Sequence, residues 1–133
     1  MIRKVVVIGG INTAGISLLE DRSDIECEVV TDVSEESLCR AVQDAHGLLV
    51  RTATISRQVI ASIPQLEVVS RHGVGYDNVD VKSLTARGIP LALAIGSNAV
   101  SVAEHAMHRI LTLPTQTFLY HQAVRKGQFD FRH

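Results

Sequence analysis

Short apolar runs rich in β-branched residues alternate with stretches of helical character from Lys4 to Leu93. That alternation is the signature of parallel βαβ units, because a strand buried on both faces is apolar almost throughout and its crossover needs a helix. Five strands are expected, at Lys4–Ile8, Cys27–Thr31, Leu48–Arg51, Leu66–Ser70 and Pro90–Leu93. Between them the helices fall at about Ala14–Leu19, Glu35–Gln43, Ser56–Ser62 and Val81–Arg87. Ser34 and Ser56 suit N-caps, and Gly88 after Arg87 suits a C-terminal stop. Each strand runs into turn chemistry: Gly9-Gly10, Asp32, Thr52, Gly73 to Gly75, or Gly96-Ser97. Polar and flexible residues therefore gather at the C-terminal ends of the strands, the edge where an open parallel sheet binds ligands.

Beyond the fifth strand the period changes to two longer helices, Ser101–Leu113 and about Thr115–Lys126, broken near Pro114. Ser101-Val102-Ala103-Glu104 fits a capping box, in which the hydroxyl and the carboxylate each satisfy a backbone N–H. Val102, Ala106, Met107, Ile110 and Leu113 share one face, so this helix has an apolar side in need of a partner. The expected class is α/β, a parallel five-stranded sheet with flanking helices followed by a C-terminal helical extension.

At 133 residues the chain fits one domain of ordinary size and cannot hold two full α/β domains. Hydrophobic residues at 46% and charged residues at 20% exclude bulk disorder. A net charge of −1 lacks the basic excess for phosphate backbones, and 4% aromatics without Trp leave few platforms for bases, so nucleic acid is not an expected partner. The charge is uneven: residues 1–50 carry nine acids against four Lys/Arg, and residues 51–133 carry five against nine. A mildly cationic second half suits a small anion, although a solvated surface has the same look. Cys27 and Cys39 fall in a strand and a helix with no metal-ligand spacing, and read as reduced thiols of a cytoplasmic protein. The N-terminal apolar run is too short for a signal peptide or a membrane span, so no membrane partner is expected.

The first turn, from Gly9 to Ser17, resembles two nucleotide motifs and satisfies neither. Its glycines stand at 9, 10 and 15, where a dinucleotide fingerprint needs G-x-G-x-x-G. As a phosphate loop it has Ile16 where the charge-pairing Lys belongs. Asp32 could pass for a ribose-binding acid, but an acid is common there in any βαβ unit. The later edge is more informative. Arg51 closes the third strand, and Gly73-Val74-Gly75 follows the fourth. Glycines flanking Val74 can present consecutive N–H groups to a carboxylate or phosphate as a nest, and Arg51 can add a permanently charged fork. The plainer alternative is a tight turn beside a surface arginine.

Four separated stretches then carry a resemblance. Val50-Arg51-Thr52-Ala53-Thr54, Arg71-His72-Gly73-Val74-Gly75-Tyr76-Asp77-Asn78-Val79-Asp80, Arg87-Gly88-Ile89 and Asn98-Ala99-Val100-Ser101-Val102-Ala103-Glu104-His105 resemble, in order, the D-isomer-specific 2-hydroxyacid dehydrogenases of the phosphoglycerate dehydrogenase-like branch. Arg125 to Phe129 resembles the segment leading into that family's nucleotide-binding domain. The resemblance implies a flavodoxin-like substrate-binding domain at 1–97 and interdomain or dimerisation helices at 98–133. The NAD-binding Rossmann domain, with the catalytic Arg, Glu and His, is expected to lie outside this chain.

Carried over residue by residue, the resemblance implies that Arg51 faces the substrate and that Val74 and Gly75 hold its carboxylate through the backbone. Val74 also approaches the nicotinamide, and Asn98 borders the cleft. Asp77, Asn78 and Asp80 are expected to shape their loop and cap the next helix, and Glu104 to serve the capping box. His72, His105 and His108 do not match the family's catalytic positions, so no catalytic residue and no metal ligand is assigned. The implied partners are a small 2-hydroxy or 2-oxo acid and a second copy bound through the C-terminal helices. NAD is the cofactor of the parent family and is not expected to bind tightly to this chain alone. Two other readings stand beside this one. One is a non-enzymatic flavodoxin-like module for a small acid or a protein partner. The other is a nucleotide-binding or phosphoacceptor domain built on Gly9 to Gly15 and Asp32.

Overall fold

The computed structural model describes residues 1–130 and divides the chain into two units, one of residues Met1–Ile95 and one beginning at Gly96. The first unit alternates strand and helix throughout. Its elements are β1 (Arg3–Ile8), α1 (Thr13–Glu20), β2 (Ile25–Val30), α2 (Glu35–Ala41), β3 (Gly47–Val50), α3 (Arg57–Ala61), β4 (Val68–Arg71), α4 (Val81–Ala86) and β5 (Leu91–Leu93). All neighbouring strands pair in parallel, in the order β2-β1-β3-β4-β5. This is the flavodoxin-like doubly wound order, in which the strand sequence reverses between β1 and β3.

Register explains the core. Val6 lies opposite Leu48 and Ile8 opposite Val50, while Leu48 lies opposite Val69. Alternate residues point to one face, so these five side chains form a continuous apolar layer there. Leu38 and Val42 from the α2 region, Val59 and Ile60 from α3, and Leu84 from α4 pack into the same cluster. Burying each such side chain contributes on the order of 1.5–3 kcal/mol. Val7 points to the opposite face and is fully buried as well, which is why β1 reads as an unbroken apolar run rather than an alternating one.

The caps follow the sequence in most places. Ser56 Oγ accepts from Val59 N at 3.3 Å, and an Asp80 carboxylate oxygen accepts from Ser83 N at 3.0 Å. Gly88 adopts φ +66°, and the N–H groups of Gly88 and Ile89 donate to the carbonyls of Thr85 and Leu84. That is the Schellman stop for which glycine is suited, because φ is positive there. Ser34 occupies the expected N-cap position of α2, though without a side-chain capping bond, and Asp32 Oδ1 accepts from Ser34 N at 3.0 Å.

In the second unit α5 spans Ala99–Thr112 and α6 spans Thr117–Arg125, with the expected break at Pro114 and with Gln116 at φ +47°. The capping box expected at Ser101 does not form. Gly96, at φ +81°, turns the chain early, so α5 starts at Ala99 and Ser101 is already its third residue. Asn98 stands at the N-cap position without a side-chain bond, and Glu104 lies in the second helical turn. Gly127 repeats the Schellman geometry at the end of α6, with Gln128 N donating to Ala123 O at 2.9 Å. Among the described residues no helix is long and apolar enough to cross a membrane.

Outside the core, Lys4 bridges Glu28 and Asp44 at 2.7 and 2.9 Å. Its hydrogen bonds to those two carboxylates hold the ammonium pKa above its ordinary value. A stronger tie joins two helices. The guanidinium of Arg87 donates to the carbonyls of Ile60, Ile63 and Pro64 at 2.5, 2.8 and 3.0 Å, and so satisfies the exposed end of α3 from the end of α4. Arg87→Ala is expected to lower stability by about 1–2 kcal/mol, the worth of charge-assisted bonds discounted for partial exposure. Urea unfolding checks this, and an unchanged midpoint would contradict it.

Candidate functional site

The strands β3 and β4 end side by side, with Val50 opposite Arg71. The loops that leave them are sewn together. Ile55 N donates to Asn78 O at 2.7 Å, Asp80 N donates to Ile55 O at 2.9 Å, and Ile55 and Val79 form a single parallel bridge. The Asn78 amide adds a bond to Ala53 O at 2.7 Å. Ile55 is fully buried, so it anchors this seam to the core. Asn78 and Asp80 thus shape the loop and cap α4, as their chemistry suggests.

Arg51 is the first residue beyond β3 and is exposed. Across the seam the glycine turn begins with a tightly held pair. His72 N donates to Val50 O at 2.7 Å, and Gly73 N donates to Arg71 O at 2.8 Å. Ala94 N donates to Gly73 O at 3.0 Å, and Arg71 Nη1 donates to His72 O at 3.1 Å. Every backbone polar group of His72 and Gly73 is thereby engaged. The next two are not: among the described residues the N–H groups of Val74 and Gly75 have no acceptor. Both residues are exposed. The sheet edge therefore gathers Arg51, Val74 and Gly75, while Asn98 belongs to the second unit, at the start of α5.

Such an arrangement can bind an anion. Two consecutive unengaged N–H groups can donate to one anion, and an arginine just beyond the neighbouring strand can supply charge. The arrangement contains no nucleophile and base pair. Of the three histidines considered, His72 is used through its backbone, His105 Nε2 accepts from Arg109 Nε at 3.2 Å, and His108 lies beside Thr112. Among the described residues no cluster of three or more His, Cys, Asp or Glu could hold a metal. Cys27 and Cys39 are free thiols, and burial pushes the Cys27 thiol pKa up. A larger groove of about 500 Å³ lies between α3 and α4, lined by Arg57, Ile60, Lys82 and Arg87 among others. It includes neither Arg51 nor the glycine turn.

The first turn does not fit a dinucleotide. Asn12 caps α1 by accepting from Ala14 N at 2.9 Å, so a side chain already occupies the helix entry that a pyrophosphate would use. A Cβ on Gly15 would lie 3.2 Å from Ile11 Cδ1, which gives that glycine a packing role. Asp32 accepts from Ser34, and that bond holds its carboxyl below the usual range. It is committed to shaping the entry to α2.

Residues 5–127 match the family described as D-isomer specific 2-hydroxyacid dehydrogenase, catalytic domain. The chain belongs to this family. A D-3-phosphoglycerate dehydrogenase of Archaeoglobus fulgidus is 33% identical over 128 residues, covering 96% of this chain and 24% of the relative. The crystal structure of a protein from Pyrococcus horikoshii OT3 superimposes with a TM-score of 0.81 at 28% identity, covering all of this chain and 39% of that one. An NADPH-dependent glyoxylate/hydroxypyruvate reductase from Sinorhizobium meliloti, solved with NADP and malonate, gives 0.79 at 26% identity, covering 97% and 40%. The chain spans about a quarter of the length of the curated dehydrogenases it matches.

Two residues of this chain went unread in the sequence. Arg87 lies inside a recognised stretch, but its work is to hold the end of α3. Arg71 lies beside the glycine turn, and the signal that could have found it is the glycine two residues on, whose missing side chain leaves room for the guanidinium.

Proposed function

We propose that this chain is the substrate-binding portion of an NAD-dependent D-2-hydroxyacid dehydrogenase of the phosphoglycerate dehydrogenase-like kind. The parent reaction transfers a hydride between a small 2-hydroxy or 2-oxo acid and NAD. The observation that carries the reading is the pair of unengaged Val74 and Gly75 amides on the same sheet edge as Arg51. In this reading the two amides receive the substrate carboxylate, Arg51 pairs with its charge, and Asn98 borders the cleft. Val74 is the point at which this portion approaches the nicotinamide. The substrate class is supported by the similar D-3-phosphoglycerate dehydrogenase and glyoxylate/hydroxypyruvate reductase, both named for small hydroxy or oxo acids.

In a parent enzyme carrying these residues, Arg51→Ala is expected to raise KM for the acid about ten- to a hundredfold, with smaller effects on NAD binding. Steady-state kinetics check this, and an unchanged KM means that Arg51 points away from the substrate. The chain by itself should bind NAD weakly and form no NADH, because the glycine-rich turn between β1 and α1 lacks the dinucleotide spacing and is closed by Asn12. Calorimetry that gave a micromolar NAD affinity would refute that.

The second unit is proposed to pair two copies. Val102, Met107 and Ile110 on α5 and Leu113 at its C-cap are all more than half exposed, as are Phe118 on α6 and Phe129 beyond it. Phe131, which belongs to the same apolar tail in sequence, lies outside the described residues. A mostly apolar recess of about 280 Å³ within this unit is lined by Thr112, Leu113, Phe118 and Leu119 among others. Leaving such side chains in water costs on the order of 1.5–3 kcal/mol each relative to burial, which favours association. Sedimentation should show the full chain self-associating and a chain ending at Ser97 remaining monomeric. A monomeric full chain with a protease-resistant tail would sink this.

A further inference from the structure

The Arg71 side chain has no salt bridge among the described residues, and its Nε is enclosed without a hydrogen-bond acceptor. A buried donor left unpaired is rare, and here no ion pair accounts for it. What the guanidinium does touch is the glycine turn. Nη1 donates to His72 O, and a Cβ built on Gly73 would fall 1.2 Å from that same nitrogen and 2.5 Å from Cζ. The guanidinium thus fills the volume that any other residue at position 73 would claim. Gly73 also has φ +151°, a backbone geometry that L side chains rarely adopt. Two independent features, the space and the torsion, therefore require glycine, and one of them exists only because Arg71 lies where it does.

We infer that Arg71 is a positioning residue for the anion site: it braces the His72–Gly73 turn so that the Val74 and Gly75 amides stay directed together. This rests on the carboxylate reading of those amides given above. Of the four ties on His72 and Gly73, three are backbone bonds to Val50, Arg71 and Ala94, and the Arg71 side chain supplies the fourth. The three fix where the turn starts and ends. The fourth holds the His72 carbonyl, and with it the peptide plane that leads into Gly73. Without it that plane can rotate and carry the following N–H groups out of line. Lysine cannot replace the brace, because a single ammonium lacks the planar fork whose Nη1, Cζ and Nε fill the space beside Gly73 while Nη1 holds the His72 carbonyl.

The test uses the isotopically labelled full chain, with malonate as the probe and amide nuclear magnetic resonance as the readout. Malonate should shift the Val74 and Gly75 amides of the wild-type chain saturably. In Arg71→Met the same two amides should broaden and exchange faster without ligand, while those of Leu48 and Val69 keep their positions. Malonate affinity should fall about tenfold, the equivalent of one hydrogen bond's worth of lost preorganisation. Arg71→Lys should bind as weakly as Arg71→Met although it keeps the charge. Full rescue by lysine, or an unaltered free turn with weakened binding, would overturn the inference, since either means that Arg71 acts on the anion by charge or direct contact. Equal affinity in wild type and Arg71→Met would overturn it too. Failure of malonate to shift the wild-type amides at all would instead remove the carboxylate reading on which the inference stands.

Discussion

Because β3 and β4 run parallel with Val50 opposite Arg71, the chain leaves both strands at the same end of the sheet, and neither following loop can be placed without the other. The Ile55–Val79 bridge and the Asn78 bond to Ala53 extend this pairing past the strands themselves. Arg51 and the Val74–Gly75 pair belong to different βα units, and the seam ties the loops that carry them to each other. The apolar anchor is Ile55, buried beneath the loops, so the geometry of a polar site depends on a hydrophobic contact.

Much of this was legible in the sequence. Apolar runs of four to six residues between helical stretches specify a parallel sheet, and all five strands form within a few residues of where the pattern puts them. Gly88 announces its own stop because a positive φ needs glycine, and Ser56 and Asp80 are good caps wherever a helix starts after them. The misreadings share a cause. Ser101 and Glu104 have the spacing of a capping box, but spacing cannot say where the helix begins, and Gly96 had already turned the chain. Ser34 keeps the N-cap position its residue type suggests, but its hydroxyl makes no capping bond, while Asp32 accepts from the Ser34 N–H. Arg71 and Arg87 are long side chains whose partners are backbone carbonyls. Such partners leave no mark in a sequence, since every residue has a carbonyl.

The two units differ in how completely they account for their own surfaces. In the first, the alternation of strand and helix buries a contiguous apolar cluster and leaves polar chemistry at one edge. In the second, the described residues bury only Thr112 and Ala123. A helix pair of this kind gains little from its own packing, since most helical stability in proteins comes from burial of an apolar face. The family's description covers both units without a break, from residue 5 to residue 127.

The pinned half of the glycine turn has a thermodynamic consequence. His72 and Gly73 give up their backbone freedom when the sheet forms, so that loss is part of the folding free energy and not of ligand binding. If an acid binds at Val74 and Gly75 as proposed, it meets a turn whose first half is already ordered, and more of its contact energy would then appear as affinity. On that proposal the same economy would bear on the choice of ligand: two adjacent backbone donors match the two oxygens of a flat carboxylate, so shape would be discriminated before any side chain of the ligand is read.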